Sequence, residues 1–229
     1  MANTIECGFR SGDTATRRSV TLAHGIIAGW TGRDKAALEK HIAELEELGV
    51  KRPASTPIFY RVAAARFTTA ETIEASGGAS SGEVEFALLK DQGRLWVGLG
   101  SDHTDREVET YNVTVSKQMC DKPFAGEFWA FDDVAGHWDS LMLRSWIVEN
   151  GARIAYQEGS VTSMLPPLDL IGLLEKTTKF VDGSIMFCGT LAAKGGIRPS
   201  VSFEMELHDP VRNLSLRHRY VIAELPIMG

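Results

Sequence analysis

Residues Ser81 to Lys117 read SGEVEFALLKDQGRLWVGLGSDHTDREVETYNVTVSK, and the architecture turns on how this stretch folds. Glu83 and Glu85 alternate with Val84 and Phe86. A strand there puts both carboxylates on one face, because side chains alternate with period two. A second strand is predicted from Arg94 to Gly100, running directly into Ser101-Asp102-His103-Thr104. If the two strands form a hairpin, Asp102 arrives at a strand end beside the glutamate pair. Three converging carboxylates without cysteine or an obligatory histidine suit a hard cation such as Mg²⁺ or Mn²⁺. Taken alone, the pair also fits the solvent face of a half-buried strand.

The chain around this stretch has 229 residues, enough for one large domain or two small ones. Its 44 % hydrophobic and 24 % charged content is that of an ordinary soluble globular protein. A net charge of −6, with Arg17-Arg18 as its longest basic cluster, argues against binding along a phosphate backbone. Cys7, Cys120 and Cys188 form no CxxC motif, so a reduced, cytoplasmic compartment is the simpler expectation. The first residues carry no apolar signal-peptide core, and no apolar run approaches membrane-spanning length.

Upstream, Thr4 to Phe9 and the segment returning through Val20 to Trp30 read as a hairpin about Ser11-Gly12-Asp13, then a third short strand. His24, inside that return, reads as a packed residue. The clearest helix is Asp34 to Leu48, with Thr31 and Asp34 as its start signal and Gly49 as its stop. Leu38, Ile42, Leu45 and Leu48 form its apolar stripe. His41 falls on that stripe with Glu44 three residues on, where a carboxylate can fix the imidazole tautomer and raise its basicity. Ile58 to Ala63 and Thr72 to Ala75 read as strands. The Gly/Ser-rich loop Ser76 to Gly82 leads into the glutamates and carries no phosphate-binding motif.

Downstream, Thr104 to Val115 is predicted as a helix, weakened by its β-branched residues. Glu127 to Phe131 and Ser140 to Glu149 read as strands joined by a turn through Asp132-Asp133. Trp129, Trp138 and Trp146 gather here and read as core, with His137-Trp138-Asp139 as an exposed corner. Asn150-Gly151 marks a hairpin with Ala152 to Gln157 returning. Pro166-Pro167 opens a helix with Leu168, Ile171 and Leu174 buried and Leu170 as a further candidate. Ser184 to Phe187, Val201 to Leu207 and Leu214 to Ala223 close the chain as strands. These elements predict an α+β protein, mainly antiparallel or mixed β with peripheral helices.

Taken in order, these pieces resemble the fumarylacetoacetate hydrolase-like superfamily, from about His41 to the C-terminus. His41-Ile42-Ala43-Glu44 resembles the family's HxxE on a lid helix, and Pro57-Ile58-Phe59 its P-x-F segment. Glu83-Val84-Glu85 resembles the ExE metal motif, and Asp102 with Arg106 the N-D-x-x-x-R corner. Lys117, followed by Pro123 and Gly126, is similar to the lysine–proline–glycine segment; Lys122 competes for that place with poorer spacing. Gly183 to Thr190, GSIMFCGT, resembles GD-x-I-x-x-GT. The chain departs from the pattern at Ser101, at Asp182-Gly183, at Ala192-Ala193-Lys194-Gly195, and in a short connection from Glu85 to Asp102.

The resemblance implies a fumarylacetoacetate hydrolase-like β-roll as one domain over residues 1–229. Residues 1–56 would form an N-terminal hairpin and lid-type helix, and residues 57–229 the β-rich core. It implies that Glu83, Glu85 and Asp102 hold Mg²⁺ or Mn²⁺, chelated in turn by a 2-oxo acid. Lys117 would stabilise enolate charge, and His41 oriented by Glu44 would activate a water. Gly189 and Thr190 would bind substrate, with Arg106 serving more to brace the corner than to touch it. The first functional expectation is a hydrolase cleaving a carbon–carbon bond in an acylpyruvate-like substrate. The alternative is a lyase of the same fold, a 2-oxo acid decarboxylase or enol hydratase; a second is a non-catalytic small-molecule-binding protein. A homodimer is expected, with no nucleic-acid or membrane partner.

Overall fold

The protein is described by a computed structural model covering residues 3–47 and 52–228. Within it the stretch 83–102 is a tight hairpin flanked by strands from the whole length of the chain. In chain order the main strands are β1 (Asn3–Ser11), β2 (Thr14–Leu22), β3 (His24–Gly29), β4 (Ile58–Val62) and β5 (Thr72–Ser76). The central hairpin follows as β6 (Val84–Asp91) and β7 (Arg94–Ser101). Then come β8 (Glu127–Ala130), β9 (Met142–Glu149), β10 (Ala152–Ser160), β11 (Ser184–Phe187), β12 (Ser202–Asp209) and β13 (Leu214–Leu225). The helices are α1 (Lys35–Glu47), α2 (Arg106–Glu109), α3 (Val113–Met119), α4 (Phe131–Ala135) and α5 (Pro167–Leu174).

An eight-stranded sheet runs β2-β1-β8-β7-β6-β11-β3-β4, and a five-stranded sheet runs β10-β9-β12-β13-β5. Most pairs are antiparallel, but β1–β8, β3–β11 and β5–β13 are parallel. The apolar periodicity explains the layering. Phe86 and Leu88 of β6 and Val97 and Leu99 of β7 pack with Leu143, Phe203, Met205 and Leu207 between the two sheets. The alternate residues Ala87 and Leu89 face a second cluster with Val20 and Leu22 of β2 and Val62 of β4. Those last two strands are opposite edges of the eight-stranded sheet, so the sheet is curled until its edges share one core. β6 is therefore apolar on both faces, as a fully covered strand must be. By the same alternation Glu83 and Glu85 lie on the inner face of the curl, at its end. This is the expected mainly β, mixed-sheet roll with peripheral helices.

Several local expectations are corrected. α1 starts on Asp34 alone, whose carboxylate caps the amides of Ala36 (2.9 Å) and Ala37 (3.0 Å). Its stop at Gly49, like Leu48 of its stripe, lies outside the described residues. Thr104 to Val115 is not one helix. Asp105 caps α2 through Val108 N–H at 2.9 Å, and Asn112 caps α3 through Val115 N–H at 3.0 Å. Two capping side chains close together split what propensity alone would join. Asp132-Asp133 does not make a turn between neighbouring strands; it lies in α4, and β8 and β9 belong to different sheets. Trp129 and Trp138 are buried in the core between the sheets as read, so the corner at Trp138 is not exposed, whereas Trp146 is only partly buried, under Arg153, and is no core residue. In α5, Leu168 points to solvent, while Leu170 and Leu174 are buried as read.

A candidate metal centre

The β6–β7 register sets Val84 opposite Ser101 and Glu85 opposite Gly100. Asp102 follows at once, its amide donating to the Glu83 carbonyl at 3.0 Å. One carboxylate oxygen from each of Glu83, Glu85 and Asp102 can be chosen so that all lie within 4.8 Å of one another. Glu85 and Asp102 are buried and Glu83 is partly so.

Each carboxylate has a different partner. Glu83 lies 3.2 Å from Arg106, which also pairs with Glu109 at 2.8 Å and donates to Ser81 Oγ at 2.7 Å. Glu85 accepts the backbone N–H of Gly189 at 2.6 Å. Asp102 takes Lys117 on one oxygen and Lys122 at 3.1 Å on the other. Lys122 also donates to the carbonyl of His103 at 2.5 Å.

The resulting electrostatics are uneven. Burial raises the Glu85 carboxyl well above the ordinary range, and the charges of Asp102 and Glu83 raise it further. Burial also raises Glu83, opposed by Arg106 and Lys117. Burial would raise Asp102 as well, but Lys117 and Lys122 outweigh it and hold that carboxyl low. Burial opposes charge on Lys117, yet Asp102, Glu83 and Glu109 keep its ammonium firmly protonated. Lys122, fully enclosed, is pulled down by burial.

A cavity of about 530 Å³ opens over the three carboxylates, with Lys117, Gly189 and Thr190 in its wall. Lys122 is not in that wall; it backs Asp102 from behind. Thr190 Oγ donates to the Val84 carbonyl at 2.7 Å and accepts from Gln157 Nε2 at 2.8 Å. Arg106 is braced between Glu83, Glu109 and Ser81 outside the cavity lining. His41 and Glu44 fall within α1, which contributes Leu38 to the cavity, but their side chains lie outside the described residues. The structure thus brings together Glu83, Glu85, Asp102, Lys117, Gly189 and Thr190.

Three contributors escaped the sequence. Glu109 lines the cavity, and its spacing of three from Arg106 was the available signal. Gln157 bridges β6 to the Thr190 loop and belongs to no motif. Behind the site, His103 sits between Ser80 Oγ (2.9 Å) and the Tyr220 hydroxyl (3.0 Å), which reaches Ser101 Oγ at 2.8 Å. Burial, with Lys122 and Arg106 nearby, drops His103 to about 3, so it is neutral.

The donor set fits a hard divalent cation. It offers only carboxylate oxygens, the ligands of Mg²⁺-type ions. Among the described residues Glu85 is the one of the three carboxylates with no side-chain cation paired to it, and a bound metal ion would offset the burial and neighbouring charge that raise it.

A family model described as a protein of unknown function (DUF2848) matches residues 28–220. No curated protein matches the chain in sequence. Among solved structures, Cg1458 with inhibitor superposes with a TM-score of 0.66 at 14 % identity, covering 91 % of this chain and 81 % of that one. A 2-keto-3-deoxyarabinonate dehydratase superposes at 0.64 with 19 % identity, covering 89 % and 75 %. The 2-keto-3-deoxy-D-arabinonate dehydratase complexed with magnesium and 2,5-dioxopentanoate gives 0.61 at 18 % identity, covering 92 % and 77 %. At these identities the likeness is one of fold: the curled, mixed-sheet fumarylacetoacetate hydrolase-like roll expected from the sequence.

Proposed function

The chain belongs to the DUF2848 family, and from its fold and its acidic cavity we propose a divalent-metal-dependent enzyme acting on a 2-oxo acid. The observation that carries this reading is the convergence of Glu83, Glu85 and Asp102 at one end of a small cavity, beside the charged Lys117. Glu83, Glu85 and Asp102 would hold Mg²⁺. When bound, the ion supplies Lewis acidity toward a 2-oxo group.

The chain's own residues supply the rest. Lys117 presents an ammonium to the cavity, where it meets the negative charge that collects on an enolate oxygen. Asp102 fixes that ammonium in place. Gly189 holds Glu85 through its amide, and Thr190, itself held by Gln157, places a hydroxyl at the wall. Arg106 braces Glu83.

The first reading within this class is hydrolysis of a carbon–carbon bond in an acylpyruvate-like substrate. It requires an activated water, the role proposed for His41 with Glu44. The second is a lyase, dehydrating or decarboxylating a 2-oxo acid without such a water. It draws support from the magnesium complex of 2-keto-3-deoxy-D-arabinonate dehydratase, which shares the fold. The test is turnover of an acylpyruvate and of a 2-keto-3-deoxy sugar acid with and without Mg²⁺. Mg²⁺-dependent turnover abolished by Glu85→Gln supports the reading; turnover indifferent to both would sink it. His41→Ala separates the two chemistries, since unchanged hydrolysis would remove the water-activating role. We further propose a homodimer, since both sheets end in strands with an open edge among the described residues; a monomer by light scattering would contradict it.

A further inference from the structure

We infer that the cavity selects 2-oxo acids bearing a single carboxylate and an uncharged, mainly apolar tail, and rejects dicarboxylates of the same length. This rests on the functional reading above and names its substrate class.

The first observation is the charge balance around the cavity. Glu83, Glu85, Asp102 and Glu109 line it, and Lys117, Lys122 and Arg106 are the cations paired with them. Four carboxylates against three cations leave one negative charge. A divalent cation turns this into one positive charge, which a monoanionic substrate neutralises. A second carboxylate would bring an uncompensated charge beside the buried Glu85 and Asp102 with no cation to receive it, which is costly.

The second observation is the apolar part of the lining. Ile27, Leu38, Met164, Leu191 and Ile197 supply an apolar surface. Two polar side chains of the lining, Gln157 and Tyr156, are already engaged. Gln157 donates to Thr190 Oγ (2.8 Å) and the Leu191 carbonyl (2.6 Å), and accepts from Val84 N–H and Ser145 Oγ, both at 3.0 Å. The Tyr156 hydroxyl accepts from the Arg198 amide at 3.2 Å.

The third observation concerns the cations of the surrounding loops. Lys117 is the one basic side chain among the described residues lining the cavity. Lys194 turns to Glu158 at 2.7 Å, and Arg198 turns to Glu149 at 2.9 Å and to the carbonyls of Lys194 and Gly196. Arg33 is held by Asp139 and the Met164 carbonyl. None of these reaches into the cavity to receive a distal carboxylate.

The test is calorimetric binding to the Mg²⁺-loaded protein of pyruvate, 2-oxopentanoate and 2-oxoglutarate, the last two equal in chain length. Pyruvate probes the metal end alone. The expected result is Mg²⁺-dependent binding of pyruvate, with 2-oxopentanoate bound about a hundredfold more tightly than 2-oxoglutarate. Ile197→Arg and Ala192→Arg each place a cation at the rim, both positions lining the cavity and exposed enough to accept it. Either variant, if it melts like the parent, is expected to narrow or invert the preference. Pyruvate binding with equal affinity for the two longer acids would overturn the selectivity and leave the metal site standing. Absence of any Mg²⁺-dependent pyruvate binding would overturn the site reading and this inference with it.

Discussion

The backbone N–H of Gly189 donates a 2.6 Å hydrogen bond to Glu85 Oε2 across a separation of 104 residues. Gly189 has φ of +96°, and a Cβ built there would lie 1.9 Å from Thr31 Oγ. Glycine is therefore required twice, by backbone conformation and by space. Gly189→Ala is expected to cost about 2–4 kcal/mol from strain and overpacking. It should also displace the amide from Glu85 and weaken stabilisation by Mg²⁺. Urea denaturation with and without Mg²⁺ reads both, and a variant that unfolds like the parent would refute the constraint.

Mg²⁺ is expected to raise the melting temperature, by an amount equivalent to about 2.7 kcal/mol at a hundred times its dissociation constant. The effect should grow with pH. Burial and the charges of Asp102 and Glu83 raise Glu85 above its unfolded value, so in the metal-free protein it favours folding below the ordinary carboxylate range. That contribution disappears as pH rises through the raised value. A divalent cation favours the ionised form and cancels the loss. Melts at about pH 5 and about pH 8 should therefore differ in their Mg²⁺ response, more at the higher pH. Glu85→Gln should flatten this difference; a parent response independent of pH would contradict the role given to Glu85.

Lys117 and Lys122 both bind Asp102, but only Lys117 lines the cavity. Lys122→Met removes an enclosed cation from Asp102 and from the His103 carbonyl, and is expected to destabilise by about 3–5 kcal/mol. Lys117→Met leaves Asp102 its Lys122 partner and should cost about 1–2 kcal/mol in folding. Its main effect should be on ligand: pyruvate bound in Mg²⁺ at least about tenfold more weakly. Calorimetry and melting on the two variants separate these outcomes, and a reversal would assign the cavity role to Lys122.

Tyr220→Phe strips the hydroxyl shared by His103 Nδ1 and Ser101 Oγ, both fully buried. Leaving His103 Nδ1 unpaired and Ser101 Oγ with only the Glu83 amide is expected to cost about 1–3 kcal/mol. Because Ser101 Oγ accepts from the Glu83 amide at 3.2 Å, a weaker response to Mg²⁺ should accompany the loss. Chemical denaturation alongside Mg²⁺ titration measures both.

Where the signal was local, the sequence was legible. Alternation through Glu83–Phe86 and the run from Arg94 into Asp102 marked the β6–β7 hairpin, and Asn150-Gly151 marked β9–β10. The cluster Glu83, Glu85 and Asp102 followed, because one hairpin brings the three together. Long-range placement was not legible. Nothing near Asp132-Asp133 shows that β8 and β9 go to different sheets; that depends on which distant strands each pairs with. The break at Asn112 was hidden because β-branched residues blur helix propensity while capping acts through one side chain. Gln157 and Tyr220 carry no motif, since their value comes from partners 73 and 119 residues away.

The three carboxylates lie within one short hairpin, whereas the apolar wall is assembled from β3, α1, the segment before α5 and the loop after β11. On the proposed function, the metal donors and the surface that meets the substrate's tail are thus written in separate parts of the chain. On that reading, the loop from Leu191 to Ile197 is the part to exchange or lengthen to retune what enters, while Gly189, Thr190 and the hairpin keep their places. For protein engineering this makes the fold a socket with an interchangeable collar.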